Sequence, residues 1–418
     1  MTTDERDYDR LRMRQWLDGA ARADGISRRG MLRLLTAAGV IGAVGAGGTG
    51  TAHAGPTVPG IVKPLPDEHF VIRGTNAESR WSGLRGTGFH TPNELFFVRN
   101  HTTTPELDAA SWRLRVWGSG LRGEGAEFSL RDLKSLPSTT HTAFVECAGN
   151  GRSFYATQQG QTASGTAWTL GAVGVARWRG VRLAHVLRRA GLTRHAVDVQ
   201  PRGLDAEATA SDGTPMGHVR RPLPVAKALD DVLLVHEMNG RPLPPDHGAP
   251  VRVLVPSWVG IASVKWVGDI EVSAEPLYSP WNTDLYRLFG PGYPEGGSAP
   301  LTRQTLKSAF ELPWDAPFAA GRTHHLTGRS WSGAGTIRSV EVSTDGGQRW
   351  HHARLHDVPR RDSWVRWSLP WTPRAAGAAT LLARATDSTG TRQPDTTPFN
   401  EQGYLFNGVV RHPVVVTA

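Results

Sequence analysis

Apolar and polar residues alternate with a period of two through much of this chain, in short runs punctuated by Gly and Pro. Between residues 81 and 290, the runs Trp112–Trp117, Thr142–Glu146, Val232–His236, Val251–Pro256 and Val264–Val272 are rich in Val, Leu and Trp and predict strands. Predicted helices are few and short. Ser129–Ser135 opens on a Ser cap with Asp132 in its first turn, and Leu183–Ala190 stops before Gly191, a suitable C-terminal cap. Gly290–Pro300 is dense in breakers and predicts a linker. Beyond it, His325–Trp331, Thr336–Ser343, Trp350–Leu355, Ser363–Leu369 and Thr380–Asp387 predict strands, with Asp345-Gly346-Gly347 turning a hairpin between the second and third. Strands spaced this closely suggest an immunoglobulin-like β-sandwich over residues 301–418, read as an association or packing module because it holds no cysteine and no catalytic constellation. The expected fold class is α+β: a mixed α/β domain over residues 55–295, then the sandwich. No solenoid repeat is present.

Composition supports this division. A length of 418 residues suits about two domains, and 48 Gly, 29 Pro and 15 Trp favour turns, short strands and large buried aromatics over helical bundles. Charge adds a clue to the ligand. The formal +9 falls to +7 beyond residue 54, since the first 54 residues hold eight Arg against six Asp or Glu. Only Lys63, Lys134, Lys227, Lys265 and Lys307 are lysines. Guanidinium forks match planar and tetrahedral oxyanions, so a small anionic substrate or an anionic cofactor is expected. No basic run interleaved with aromatics points to nucleic acid.

Residues 1–54 read as a twin-arginine signal peptide. Ser27-Arg28-Arg29-Gly30-Met31-Leu32 opens the pattern, a Gly/Ala-rich apolar stretch follows from Leu34 to Gly48, and Ala52-His53-Ala54 offers small residues for cleavage. The apolar stretch falls short of the ~20 residues a spanning helix needs. Export by this route, to a periplasmic or extracytoplasmic location, suits a protein folded around a cofactor beforehand. In oxidising surroundings the single cysteine, Cys147, cannot form an internal disulfide. It is a buried thiol, a nucleophile or a metal ligand.

Three segments could carry chemistry. In His141-Thr-Ala-Phe-Val-Glu-Cys147-Ala-Gly-Asn-Gly-Arg152, an apolar strand delivers the lone cysteine to a Gly/Asn-rich loop, with an Arg five residues on. A thiolate needs nearby positive charge or a metal at neutral pH, and a strand end holds such a ligand rigidly. In Phe96-Phe97-Val98-Arg99-Asn100-His101, an aromatic strand end releases an Arg, an amide and an imidazole. Across His236–Arg252, Gly240 and several prolines exclude a helical zinc motif, and a turn presenting His247 and Arg252 to an anion is the better reading.

Together these segments resemble the sulfite oxidase family. The chain carries its "RNH" after an aromatic strand, its "CAGN" with an Arg close behind, and its "ARWxGVRL" at Ala176–Leu183. It also carries "EMNGxPLPxDHGxPVR" at Glu237–Arg252, "VKW" at Val264–Trp266, and Trp281 with Tyr286 five residues later. "SxDGGxxW" falls at Ser343–Trp350 and "QPD" at Gln393–Asp395. The resemblance implies a molybdopterin-binding oxidoreductase domain followed by an immunoglobulin-like dimerisation domain, hence a homodimer. It implies a molybdenum–molybdopterin cofactor with Cys147 as the metal's thiolate ligand. Phe97, Val98, Arg99, Asn100, His101, Asp205, His247, Arg252, Ser263, Val264 and Lys265 match pterin-binding positions, with His247, Arg252 and Lys265 the natural partners of the pterin phosphate. Arg99, Arg152, Trp168 and Tyr286 match the substrate pocket. Gly151 departs from the pattern, standing where many members carry a second basic residue, which implies a less positive pocket.

The implied reaction is oxidation of sulfite to sulfate by oxygen-atom transfer. One cysteine allows no C-x-x-C-H haem attachment, so electrons are expected to pass to a separate acceptor, a c-type cytochrome being one candidate. Two other readings stand beside it. The same cofactor could act on protein-bound sulfane sulfur or another oxyanion, or the chain could be an exported binding protein that keeps the scaffold without the chemistry.

Overall fold

The computed structural model describes residues 58–209 and 213–418. The twin-arginine pattern and the cleavage site expected near Ala54 lie outside the described residues.

Two sheets build the first part of the molecule. One has five strands in the order Leu223–Pro224, Asp198–Gly203, Val267–Ser273, Arg113–Trp117 and Ala126–Ser129, all antiparallel except the parallel pair Val267–Ser273 with Arg113–Trp117. In Arg113–Trp117, Leu114 and Val116 are buried between exposed Arg113 and Arg115, the period of two that a sheet with one wet face requires. The other sheet is antiparallel and runs Arg241–Pro242, Leu233–Met238, Val173–Arg182 and Ser138–Glu146, with Arg252–Leu254 also paired to Leu233–Met238. In Ser138–Glu146 burial alternates at first and then becomes continuous over Ala143–Glu146. Both faces of that end are covered, so the strand delivers Cys147 from rigid, two-sided packing.

The short helices form where the caps predict them. Ser129 Oγ accepts from the Asp132 amide at 3.2 Å while the Asp132 carboxylate accepts from the Ser129 amide at 2.8 Å, a reciprocal cap for Leu130–Ser135. Leu183–Arg189 ends before Gly191, whose φ of 93° lets the chain reverse and the Leu192 amide reach the Leu187 carbonyl.

The second part is a β-sandwich. Its four-stranded sheet runs Lys307–Phe310, His324–Trp331, Trp364–Trp371 and Arg354–Leu355; its five-stranded sheet runs Ala316–Ala319, His412–Thr417, Gly377–Asp387, Ile337–Ser343 and His351–His352. Leu326, Val340, Val342, Val365, Trp367 and Leu381 fill the space between. The two parts share an aromatic seam, in which Trp81 stacks on Trp331 at 5.7 Å and leans on Trp364 at 6.1 Å.

Two predicted strands differ. Trp350–Leu355 divides: His351–His352 pairs with Glu341 and Val342 in one sheet, and Arg354–Leu355 pairs with Trp367 and Ser368 in the other, so the chain turns a corner of the sandwich. The strand expected over Val264–Val272 begins only at Val267. Before it, Gly260–Ala262 makes a short 3-10 turn and Trp266 adopts a φ of 51°, which takes Lys265 out of the sheet.

Candidate active site

A cavity opens where several segments converge on the end of Ser138–Glu146. Its wall includes Phe97, Arg99 and His101 from the first segment, Cys147 from the strand end, and Asp246, His247 and Arg252 from the Pro-rich turn. Ser263, Val264, Lys265 and Trp266 complete the opposite side, with Asp205 and Tyr286 above. Cys147 is buried and free, at the junction between an apolar cluster holding Phe97 and Trp168 and this cavity.

The backbone explains how each side chain arrives. The turn Pro245–His247 is closed by Gly248 at φ 108°, where a Cβ would come within 2.9 Å of the Arg252 side chain. That packing lays Arg252 under the turn: its guanidinium donates to the His247 carbonyl at 3.1 Å and the Ser263 carbonyl at 3.0 Å. Lys265 reaches back across the same turn, donating to the Asp246 carbonyl at 2.8 Å and to Asn100 Oδ1, with its ammonium 4.0 Å from the Trp266 ring centre. Trp266 is itself pinned by its indole N–H to the Pro245 carbonyl at 2.8 Å.

The electrostatics of this wall are unbalanced. Burial, reinforced by Arg252, depresses Lys265 well below the usual lysine range; burial takes Arg252 down to about 9. Burial holds His247 well below its ordinary value, and Lys63, Lys265 and Arg252 add to the effect. Lys63, on the extended segment that passes behind the turn, falls to about 7 for the same first reason. Cations so crowded call for an anion. Two buried polar atoms of cavity-lining residues, His247 Nε2 and Asp205 Oδ1, have no hydrogen-bond partner among the described residues. A polar, multiply anionic group fits both the charge and the orphaned atoms.

On the other side of Cys147 the chemistry is neutral. Burial pushes the Tyr286 phenol far above its usual value, and its hydroxyl lies 3.2 Å from His101 Nε2. His101 is held well below its ordinary value, by burial first and then by Arg99 and Lys265. Near neutral pH this is one hydrogen bond between two uncharged groups. Tyr286 has a φ of 56°, and its ring stacks on Tyr404 at 5.1 Å and 11°.

The cavity wall gathers Phe97, Arg99, His101, Cys147, Asp205, His247, Arg252, Ser263, Val264, Lys265 and Tyr286, all expected from sequence. Four expected residues lie off it. Val98 packs with Ile61, Leu65, Phe70 and Ala77, and both its backbone polar groups bond Ala77, so it faces the opposite side of the chain from Phe97 and Arg99. Asn100 stands behind Lys265 as its acceptor. Trp168 is fully buried, edge-on to Phe97 at 6.5 Å, and supports the cysteine cluster from behind. Arg152 lies over the Tyr404 ring at 5.3 Å and donates to the Gln402 and Thr166 carbonyls, each at 2.8 Å. Gly149 and Gly403 make room for it, since a Cβ on either would meet the Arg152 side chain at 2.6 Å.

Gly151 needs a different account from the one expected. Its φ is 96°, and a Cβ there would meet the Phe406 ring at 2.9 Å, in the aromatic seam. A side chain at 151 would start toward that seam. The sequence reading gave no role to Tyr404, Gln402, Asp246 or Lys63. Asp246 lay inside the "DHG" segment, but the other three carried no local signal. The sandwich region, read as an association or packing module, also supplies Gln402 and Tyr404 to the surroundings of the site.

Fold and site define a two-part oxidoreductase built to hold an anionic cofactor beside a lone thiol. The description "Oxidoreductase molybdopterin binding domain" matches residues 101–281, and "Mo-co oxidoreductase dimerisation domain" matches residues 310–417. The chain is 37% identical to mouse mitochondrial sulfite oxidase over 77% of its own length, and 38% identical to the human protein over 78%. It spans 60% and 62% of those two relatives. In structure it resembles the sulfane dehydrogenase SoxCD of Paracoccus pantotrophus, with a TM-score of 0.69, 27% identity, and 90% and 92% of the two chains covered. The chain belongs to the sulfite oxidase family, and its cofactor is molybdenum–molybdopterin.

Proposed function

We propose that this protein oxidises sulfite to sulfate by oxygen-atom transfer, with Cys147 as the thiolate ligand of molybdenum, and passes electrons to a separate acceptor such as a c-type cytochrome. One observation carries the reading: the lone cysteine shares a cavity wall with Arg99, Arg252 and Lys265, which outnumber the lining carboxylates Asp205 and Asp246, and with His247, whose Nε2 has no partner among the described residues. When bound, the cofactor supplies the transferable oxygen and takes up two electrons. The chain binds, orients and screens charge. His247, Arg252 and Lys265 would hold the pterin phosphate, while Asp205 and Ser263 would offer polar contacts to the pterin itself, with Phe97 and Val264 packed against it. Arg99 faces the incoming dianion and Arg152 reinforces the field from behind Tyr404. Tyr286 keeps its proton, so its hydroxyl donates to a substrate oxygen and fixes the approach to the centre. The twin-arginine pattern supports export to a periplasmic or extracytoplasmic site, and the dimerisation-domain match supports a homodimer, which sedimentation would test.

Purified holoprotein should contain molybdenum and pterin and should reduce a one-electron acceptor, two equivalents per sulfite consumed. Cys147→Ser should lose the thiolate-to-metal absorption and turnover while keeping its fold by circular dichroism. Sulfite oxidation retained by that variant would end the ligand assignment. A second reading, action on protein-bound sulfane sulfur, is favoured by the alignment covering 92% of the sulfane dehydrogenase chain. Fully loaded protein that is inert to sulfite but oxidises a sulfane-bearing carrier peptide would select it.

A further inference from the structure

The residue before the cysteine carries a buried charge that the proposed chemistry does not use. Glu146 is fully buried, and its carboxylate accepts from Lys307 Nζ at 2.6 Å and Asn150 Nδ2 at 2.9 Å on one oxygen, and from Trp331 Nε1 at 2.9 Å on the other. Lys307 is 1% exposed. Lys307 and Trp331 belong to adjacent strands of the sandwich, paired directly in register. The ion pair therefore bridges the two parts of the molecule, one residue from the thiol.

Stability alone is a poor reason for such a pair. Stripping water from two charges costs several kcal/mol, and apolar replacements of similar volume are often neutral or better. What the pair does uniquely is fix a position. Cys147 and Glu146 point to opposite faces, the thiol toward the cavity and the carboxylate toward the sandwich, so any influence runs through the backbone.

That backbone is held on both sides of the cysteine. The Glu146 carbonyl accepts from Gln304 Nε2 at 2.7 Å, the Cys147 amide donates to the Ala172 carbonyl at 3.0 Å, and the Cys147 carbonyl accepts from the Asn150 amide at 3.0 Å. Asn150 closes the circuit, its Oδ1 accepting from the Ala172 amide at 3.0 Å while its Nδ2 returns to Glu146. The Ala148 carbonyl accepts from the Leu405 amide at 2.8 Å. Gln304, Lys307, Trp331 and Leu405 all lie beyond the linker.

We infer that Glu146 and Lys307 are positioning residues for the metal thiolate, so that the sandwich sets where the Cys147 sulfur stands. The assignment rests on Cys147 being the ligand, but the tether itself can be tested apart from that. Full-length chains bearing Lys307→Met, Glu146→Gln, both changes, or Lys307→Arg are compared with the parent. Hydrogen exchange is followed at the Cys147 and Asn150 amides, with Leu326 and Val340 in the sandwich core as references. The thiolate-to-metal band of loaded protein is the second readout.

Lys307→Met should quicken exchange at Cys147 and Asn150 by about tenfold or more, leave the references unchanged, and shift or broaden the band. Lys307→Arg should restore both. The double variant buries no lone charge and so keeps its fold, yet it should show the same local quickening and the same altered band, because the tether is gone. Parent-like exchange and band in the double variant would overturn the inference. So would faster exchange spread equally over the references with an unaltered band, which would mark the pair as cement between the two parts. A parent protein lacking the band would remove the ligand assignment, and the exchange series would still decide whether the pair holds the loop.

Discussion

Tyr286 and the buried histidines give the residue scale its sharpest consequences. Tyr286→Phe removes one donor at an unstrained cost in volume, and kcat should fall by about 10- to 100-fold with a smaller change in KM. Steady-state assays check this, and an unchanged kcat would mean the phenol does not meet the reacting oxygens. His101 and His247 make folding acid-sensitive. Both have folded-state values well below the ordinary 6.5. Below that pH the unfolded chain takes up protons that the folded chain refuses, so stability falls as pH drops from 6.5 toward the folded values. Lys63, lowered from 10.5 to about 7, has the same sign in its own window, with stability rising as pH climbs between those values. Urea unfolding of cofactor-free protein should show a loss of up to about 1.4 kcal/mol per histidine per pH unit on acidification from 6.5. A flat profile from pH 8 to 5 would contradict the burial of both rings.

Among elements, the 3-10 turn Gly260–Ala262 decides how closely the cavity floor approaches the cysteine strand. A Cβ on Gly260 would stand 2.7 Å from the Glu146 carbonyl oxygen and 3.2 Å from its carbonyl carbon. Both obstacles are backbone. Gly260→Ala should destabilise by about 1–3 kcal/mol and lower the melting temperature of the cofactor-free chain, as scanning calorimetry would measure. The sequence made most elements legible, because alternation in Arg113–Trp117 or capping at Ser129 is settled within a few residues. It missed the Val264–Trp266 geometry, where apolar residues read as strand but a left-handed Trp266 swings Lys265 into the cavity. It also missed that Trp350–Leu355 serves two sheets. Both depend on neighbours far away in the chain.

At the scale of the whole molecule, the candidate site is a meeting of segments from residue 63 to residue 404, and that explains which parts could be read in advance. Cys147, Arg252 and Lys265 stood out by residue type and motif. Tyr404 and Lys307 act across 118 and 161 residues, on Tyr286 and Glu146, and nothing local announces such contacts. Val98 was assigned with its neighbours, but strand alternation turns it away from the cavity. The collective property of these segments is surplus positive charge. Inorganic phosphate should therefore stabilise cofactor-free protein by about 2.7 kcal/mol at a hundredfold excess over its dissociation constant, seen as a higher melting temperature, and less so in Arg252→Ala. Equal stabilisation of parent and variant would mean the anion binds elsewhere.

Asp246 ties the beginning of the described chain to its working centre. Its carboxylate accepts from the Val62 and Lys63 amides at 2.9 and 2.8 Å and from the Thr104 hydroxyl at 2.6 Å, while the adjacent residue, His247, lines the cavity. The extended segment around Val62 is thus a buckle fastened to the same turn that would grip a pterin phosphate. Trimming the chain back beyond Lys63 would unfasten it, leaving a carboxylate stripped of two amide donors beside the phosphate's seat. The segment around Val62 is in this sense a tenant of the cofactor pocket, and the two should be lost together under proteolysis.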